Sequence, residues 1–225
     1  MSTPGAICLQ GGRELTRPCD EMDRSVLDRC VGTVVVLAGS ARRGSDYAGS
    51  SDRTVAHYRR LGVAVVVMPD PRDDHVAALD RLDDDIGLIV MPGGSPAALL
   101  DVLTVVGDGA IGARVVELWT AGTGISGASA GAMVLCSRMA NPERGGIVDG
   151  LDLVPGLAVA HWSPGSEQRW ALPESGPGSM LWGLPECGGV LIDRDTMVAV
   201  GQGAPAVRVN GVWNPVSRTD AQPLP

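Results

Sequence analysis

Gly124-Ile-Ser-Gly-Ala-Ser-Ala-Gly-Ala-Met133 decides how this chain is read. A short apolar run, Gly124 to Ser126, enters a tight Gly/Ala/Ser turn, and a helix-like segment, Ala130 to Met139, leaves it. Ser129 stands at the apex, with Gly127 and Gly131 two residues away on either side. A serine on a strand–turn–helix junction of this kind is pushed out at the carboxyl edge of a sheet, because its small neighbours let the turn close. The free N–H groups at the start of the following helix favour negative charge beside it. Position 129 is where an acyl-transfer nucleophile is expected. Small residues also serve plain close packing in a chain with 31 glycines, so the flanking strand and helix carry the weight of this reading.

The segments upstream repeat the same alternation. Ala6 to Gln10 reads as a first strand, closed by Gly11-Gly12. Pro18 to Cys30 has helical spacing of Met22, Val26 and Leu27, and Thr33 to Gly39 is a β-branched run typical of a buried strand. Ser51 to Leu61 reads as helix, Val63 to Met68 as strand, Asp73 to Leu82 as helix and Ile86 to Met91 as strand. Pro96 to Val105 and Ala110 to Ala121 read as helices, the first with proline near its start. Such alternation predicts an α/β fold, a three-layer doubly wound and mostly parallel sheet, whose ligands bind at the carboxyl ends of the strands. Gly93-Gly94 and Ser129 both fall at such ends. After Met139 the helices shorten, and short strands, antiparallel near the C-terminus, are expected at Leu157–His161, Val190–Asp193, Met197–Val200 and Ala206–Val209. Asn210-Gly211 reads as a hairpin turn, and Ser217 to Pro225 as a frayed tail. The 225 residues suit a single domain, 1–225, with no linker or repeat.

Bulk composition narrows the partners. With 44% hydrophobic residues, a formal net charge of −8 and no basic run, the chain is a poor match to nucleic acid or an anionic membrane surface. No apolar run approaches a membrane span, and the first residues lack the pattern of a secretory signal, so a cytoplasmic protein is expected. The five cysteines form no C-x-x-C pair and are expected to be reduced packing residues. No clustered ligand set for a metal is present, and no metal or organic cofactor is expected.

A serine nucleophile needs a base, and the chain has three histidines. His57 and His75 fall on helices and read as surface or half-buried positions. His161 ends a strand-like run and opens a Gly/Pro/Ser loop, where a working base belongs in this architecture. Ala130 N–H is the expected first oxyanion donor, and the Gly93-Gly94 turn the natural source of a second. The acid that orients the histidine is left open among Glu143, Asp149, Asp152, Glu167 and Glu186, since spacing alone does not choose. Cys136 lies two helical turns past Ser129 and does not replace it as nucleophile.

These stretches resemble peptidase family S51, the dipeptidase E and cyanophycinase group on a class I glutamine amidotransferase-like fold. The likeness lies in Ile7–Gly12, in Val90–Leu100 (VMPGGSPAALL), in Ile125–Ala132 (ISGASAGA), in Leu153–Arg169 with its Pro-Gly-Leu before a histidine and an aromatic residue, and in Gly183–Glu186 (GLPE). The resemblance implies a serine-type peptidase that hydrolyses small peptides, with an aspartyl or β-aspartyl residue as one option. It implies Ser129 as nucleophile, His161 as base, and Gly94 and Ala130 as the oxyanion hole. Its acidic member would fall near Glu143, with Asp149 in reserve. Gly93, Ser95, Arg169 and Glu186 would line the substrate site, and Arg144 or Arg169 would face an acidic side chain. Ser95 replaces the family's usual asparagine, and Arg169 stands alone where cyanophycinases carry several arginines. The alternative is a catalytically inactive binding or regulatory member of the same fold. A homodimer is left open.

Overall fold

The computed structural model describes residues 3–166 and 180–225. Five strands, β1 (Ile7–Gln10), β2 (Thr33–Val36), β3 (Val65–Val67), β4 (Ile86–Met91) and β5 (Gly124–Ala128), run parallel and form one side of an eight-stranded sheet, with β3 at its edge. The helices between them are α1 (Asp20–Leu27), α2 (Ser45–Arg60), α3 (His75–Leu79), α4 (Pro96–Thr104) and α5 (Ala110–Ala121). β1 lies beside β5, and β5 beside β4, so the carboxyl ends at Gln10, Ala128 and Met91 converge. Every residue of β1, β4 and β5 is buried, as expected for strands covered on both faces. Alternate residues face two layers. Ile7, Leu9, Ile89 and Met91 pack with Leu99 and Val102 of α4 and Val115 and Leu118 of α5. Cys8, Leu88 and Val90 pack with Met22 and Val26 of α1 and Tyr58 of α2.

The second half of the chain departs from the expected pattern in an informative way. The helix after Ser129, α6, covers only Ala130–Leu135, and Cys136–Ala140 is already a strand, β6. The sequence reads as helix through Met139; strand pairing overrides that from Cys136 on. β6 pairs with β7 (Ile147–Asp149) and β8 (Val154–Ala160), and Ser137 Oγ both donates to Gly156 O (3.2 Å) and accepts from Gly156 N (3.0 Å). With β9 (Met180–Leu184), β12 (Ala206–Val209) and β13 (Val212–Pro215) these strands make a second, six-stranded sheet. β10 (Gly188–Asp193) and β11 (Thr196–Gly201) return antiparallel to the first sheet beside β1. One buried cluster runs through both sheets, from Ile7 to Trp182 and Leu184. Asn210 and Gly211 both have positive φ in the β12–β13 turn, the geometry that dipeptide favours. The tail is not frayed: Gln222–Pro223 pairs with β11, and Leu224 N donates to Asp195 O.

Candidate active site

Ser129 has φ 49° and ψ −104°, a conformation disfavoured for any residue with a side chain. Packing maintains it. A Cβ on Gly127 would lie 2.6 Å from Gly131 C, and one on Gly131 would lie 2.2 Å from Met91 O, so glycine at 127 lets β5 and α6 close on each other and glycine at 131 lets α6 close on the end of β4. Ser129 N donates to Gln10 O at the end of β1 (2.9 Å), which ties the turn to the neighbouring strand. The hydroxyl is thereby aimed out of the sheet edge.

His161 follows β8, in the other sheet, and has φ 53°. Its N–H donates to Gly11 O (2.8 Å), and Trp162 N donates to Leu184 O (2.9 Å). The imidazole lies against Gly12, where a Cβ would come within 2.3 Å of Cε1; Gly12 itself sits at φ 132°. The Gly-Gly after β1 is therefore the floor under the histidine. Ser129 Oγ and His161 Nε2 are 3.0 Å apart.

Glu186 occupies the turn between β9 and β10. Its Oε1 is 3.5 Å from His161 Nδ1, and its Oε2 is 3.7 Å from Arg13 Nη1. Both His161 and Glu186 are half exposed. The separation is longer than a formed hydrogen bond, as is common before a substrate tightens such a pair. Glu186, one of the five carboxylates left open as the acid and also expected to line the pocket, is the carboxylate at the imidazole. Glu143, expected as the acid, is not there: its Oε2 accepts a hydrogen bond from Ser95 Oγ (2.7 Å). Asp149 is likewise engaged elsewhere, with Arg138 (3.4 Å).

The Pro92–Ser95 turn follows β4. Ser40 Oγ lies 2.8 Å from Pro92 O and 2.9 Å from Gly93 O, and Ser95 N donates to Ser40 O (2.9 Å). Ser40, which carried no signal in the sequence, clamps this turn. The N–H groups of Gly94 and of Ala130, the first residue of α6, have no partner among the described residues. Ser95 caps α4, accepting from Ala98 N (3.0 Å) while donating to Glu143, so both of its hydrogen-bonding roles are structural. Arg144, considered for an acidic side chain, is held by Asp101 at 2.5 and 3.1 Å. Arg169 lies outside the described residues, as does Glu167.

The other nucleophilic and basic groups stand apart. Cys136 is buried, its thiol 3.5 Å from Ala132 O, and burial pushes it up to about 12. A thiol so reluctant to ionise is inert. His57 is buried, not half-exposed as its sequence neighbourhood suggested, because Asp23 of α1 receives it. All five cysteines are free, and among the described residues no cluster of metal-ligating side chains occurs and no helix is long and apolar enough to cross a membrane.

Comparison with known proteins gives this geometry a context. The model of peptidase family S51 matches residues 26–200. A crystal structure of a peptidase from an acI-B1 Actinobacterium superposes with a TM-score of 0.79 at 21% identity, covering 99% of this chain and 98% of that one. A putative peptidase E protein from Listeria monocytogenes EGD-e superposes with a TM-score of 0.67 at 16% identity, covering 89% of this chain and 100% of that one. At those identities the two structures establish the shared fold. No curated protein matches the sequence. The family match spans most of the chain and includes both the Ser129 turn and His161, and the chain belongs to peptidase family S51, a family of serine-type peptidases.

Proposed function

We propose that this peptidase hydrolyses short peptides through Ser129, His161 and Glu186. The observation that carries the reading is the 3.0 Å contact between Ser129 Oγ and His161 Nε2. Ser129 Oγ attacks the scissile carbonyl carbon and passes its proton to His161 Nε2. The carbonyl electron pair becomes an oxyanion, received by the N–H groups of Gly94 and Ala130. Collapse of the tetrahedral intermediate breaks the C–N bond, and His161 returns the proton to the departing amine. Water, deprotonated by the same nitrogen, then attacks the acyl ester, releases the carboxylic acid product and restores the serine. Glu186 holds Nδ1 and stabilises the imidazolium that forms twice in the cycle. The roles of Glu143 and Ser95 change accordingly: they shape the start of α4 beside the oxyanion turn.

Ser129→Ala tests this directly. Hydrolysis of a dipeptide panel, followed by chromatography of the products, should fall by a factor on the order of 10^4 with the fold intact by circular dichroism. A fluorophosphonate should label Ser129 in the wild-type protein and leave the His161→Ala variant nearly untouched. Unimpaired hydrolysis by Ser129→Ala would end the serine reading. A folded wild-type protein that neither reacts with the probe nor cleaves peptides would favour the inactive binding member instead.

A further inference from the structure

The loop after β1 brings to the nucleophile a second carboxylate that the steps above do not use. Gly12, Arg13 and Leu15 all have positive φ, and this tight coil sets Glu14 over the Pro92–Ser95 turn. Glu14 Oε1 accepts the Gly93 N–H at 2.8 Å. The point a Gly93 Cβ would occupy is 2.6 Å from that oxygen and 3.2 Å from Ser129 Cβ, so the missing side chain at 93 is what admits a carboxylate beside the nucleophile. No cation neutralises it: among the described residues Arg13 turns to Glu186 and Arg60 to Asp20, and Arg53, on the same cavity, makes no ion pair with Glu14. A cavity of about 620 Å³ opens at this carboxylate; Glu14, Thr16, Ser50 and Gly93 line it together with Arg53, His57 and Arg60, the last two engaged by Asp23 and Asp20, and it leaves room for a substrate group.

We infer that Glu14 is a specificity-determining residue that seats a cationic group of the peptide, an ammonium or a guanidinium, beside the scissile carbonyl. The inference rests on Ser129 acting as nucleophile. Attack turns the neutral carbonyl into an oxyanion, and an unpaired carboxylate a few ångströms away opposes that charge. A substrate cation bound to Glu14 cancels the opposition, whereas an acidic group at the same place adds to it. For unit charges this close at a half-exposed site, the advantage of a cationic peptide over a neutral one is about tenfold or more in kcat/KM. The cation has two sources, the peptide's own amino terminus or a lysine or arginine side chain.

The test uses four peptides with a common leaving amine and these acyl residues: norleucine with a free amino group, N-acetylnorleucine, N-acetyllysine and N-acetylaspartate. With the wild-type enzyme, at least one cationic peptide should exceed N-acetylnorleucine by about tenfold, N-acetylaspartate should be slowest, and the faster of the two cationic peptides identifies the source. In Glu14→Gln, which keeps the acceptor for Gly93 N–H, those ratios should fall towards one. Unchanged ratios in Glu14→Gln would overturn the inference, as would an equal acceleration of all four peptides, since Glu14 would then merely cover the turn. Calorimetric binding of the same peptides to Ser129→Ala, with and without Glu14→Gln, reads the selectivity without turnover. A wild-type protein that cleaves none of the four would sink the hydrolase reading, and this inference with it; turnover with equal binding of all four peptides would sink this one alone.

Discussion

Two histidine–carboxylate pairs sit among the described residues, and they differ in nearly every physical respect. His57 and Asp23 are 2% exposed at their side chains and 2.7 Å apart; His161 and Glu186 are half exposed and 3.5 Å apart. Asp23 is saturated: Oδ1 accepts from Gln10 Nε2 (2.7 Å) and Tyr58 OH (3.1 Å), and Oδ2 faces His57 Nε2. Arg60 Nη2 is 3.0 Å from His57 Nδ1, and a guanidinium only donates, so Nδ1 accepts and the proton sits on Nε2, directed at Asp23. Neither nitrogen of His57 is left to do chemistry. His161 keeps Nε2 for a serine hydroxyl, and its carboxylate is held loosely by a single arginine. The better-made hydrogen bond marks the structural pair. The pair proposed to react is the one whose contacts still have room to shorten.

Asp23→Ala is the largest test of that contrast within the fold. It strands the Nε2–H of His57, the hydroxyl of Tyr58 and one amide donor of Gln10 in a buried site. Losing one member of such a network costs about 3–5 kcal/mol, which lowers Tm by roughly 10 °C in a chain of this size. Chemical denaturation should report the loss, while kcat/KM of the protein that remains folded changes little. A variant as stable as wild type would break the division between the two pairs.

Glu186→Gln probes the other pair and should do the reverse. The amide keeps the size but not the charge that stabilises imidazolium. With the carboxylate half exposed, kcat/KM should fall by about 10^2-fold, about 2.7 kcal/mol in the barrier, with stability within about 0.5 kcal/mol of wild type. The pH–rate profile sharpens the assignment, because a group that acts through His161 shifts the acidic limb, where the imidazole takes up its proton and stops acting as base, whereas a residue that only shapes the loop lowers the rate at every pH alike. Full activity in Glu186→Gln would remove it from the site.

What could be read from the chain follows how local each feature is. The Ser129 turn is encoded within five residues, strand before and helix after, and His161 was the one histidine at a strand end. The parallel strands were equally plain, since Val34–Val36 and Ile86–Met91 are β-branched or apolar throughout. The carboxylate proposed as the acid was legible only as one of five candidates. Glu186 reaches the imidazole because β9 pairs in one sheet and β10 in the other, and the turn between them is thereby drawn over His161. No spacing between Ser129 and Glu186 carries that information. Cys136–Ala140, read as the end of a helix, is strand for a related reason: its partners lie in β7 and β8, outside the local sequence. Glu14 and Ser40 are single polar residues in loops without period, and only the convergence of β1, β4 and β5 gives them a place.

Glu143 offers the smallest and sharpest discrimination, because the family resemblance would make it the acid. Its carboxylate is exposed and accepts one hydrogen bond, from Ser95 Oγ. In Glu143→Gln the amide oxygen keeps that acceptor, so the cap of α4 survives, and kcat/KM should stay within about threefold of wild type, since exposed charges of this kind are worth at most about 1 kcal/mol. Ser95→Ala goes one step further: it removes the side chain that receives Ala98 N–H and should cost about 1 kcal/mol of stability, the usual worth of a serine N-cap. The oxyanion turn itself should persist in that variant, because Ser40 grips it through the backbone of residue 95 and the carbonyls of Pro92 and Gly93, none of which the substitution removes. A collapse of activity in Glu143→Gln with Glu186→Gln unaffected would exchange the two carboxylates and require the loop bearing Glu143 to swing across the nucleophile during turnover.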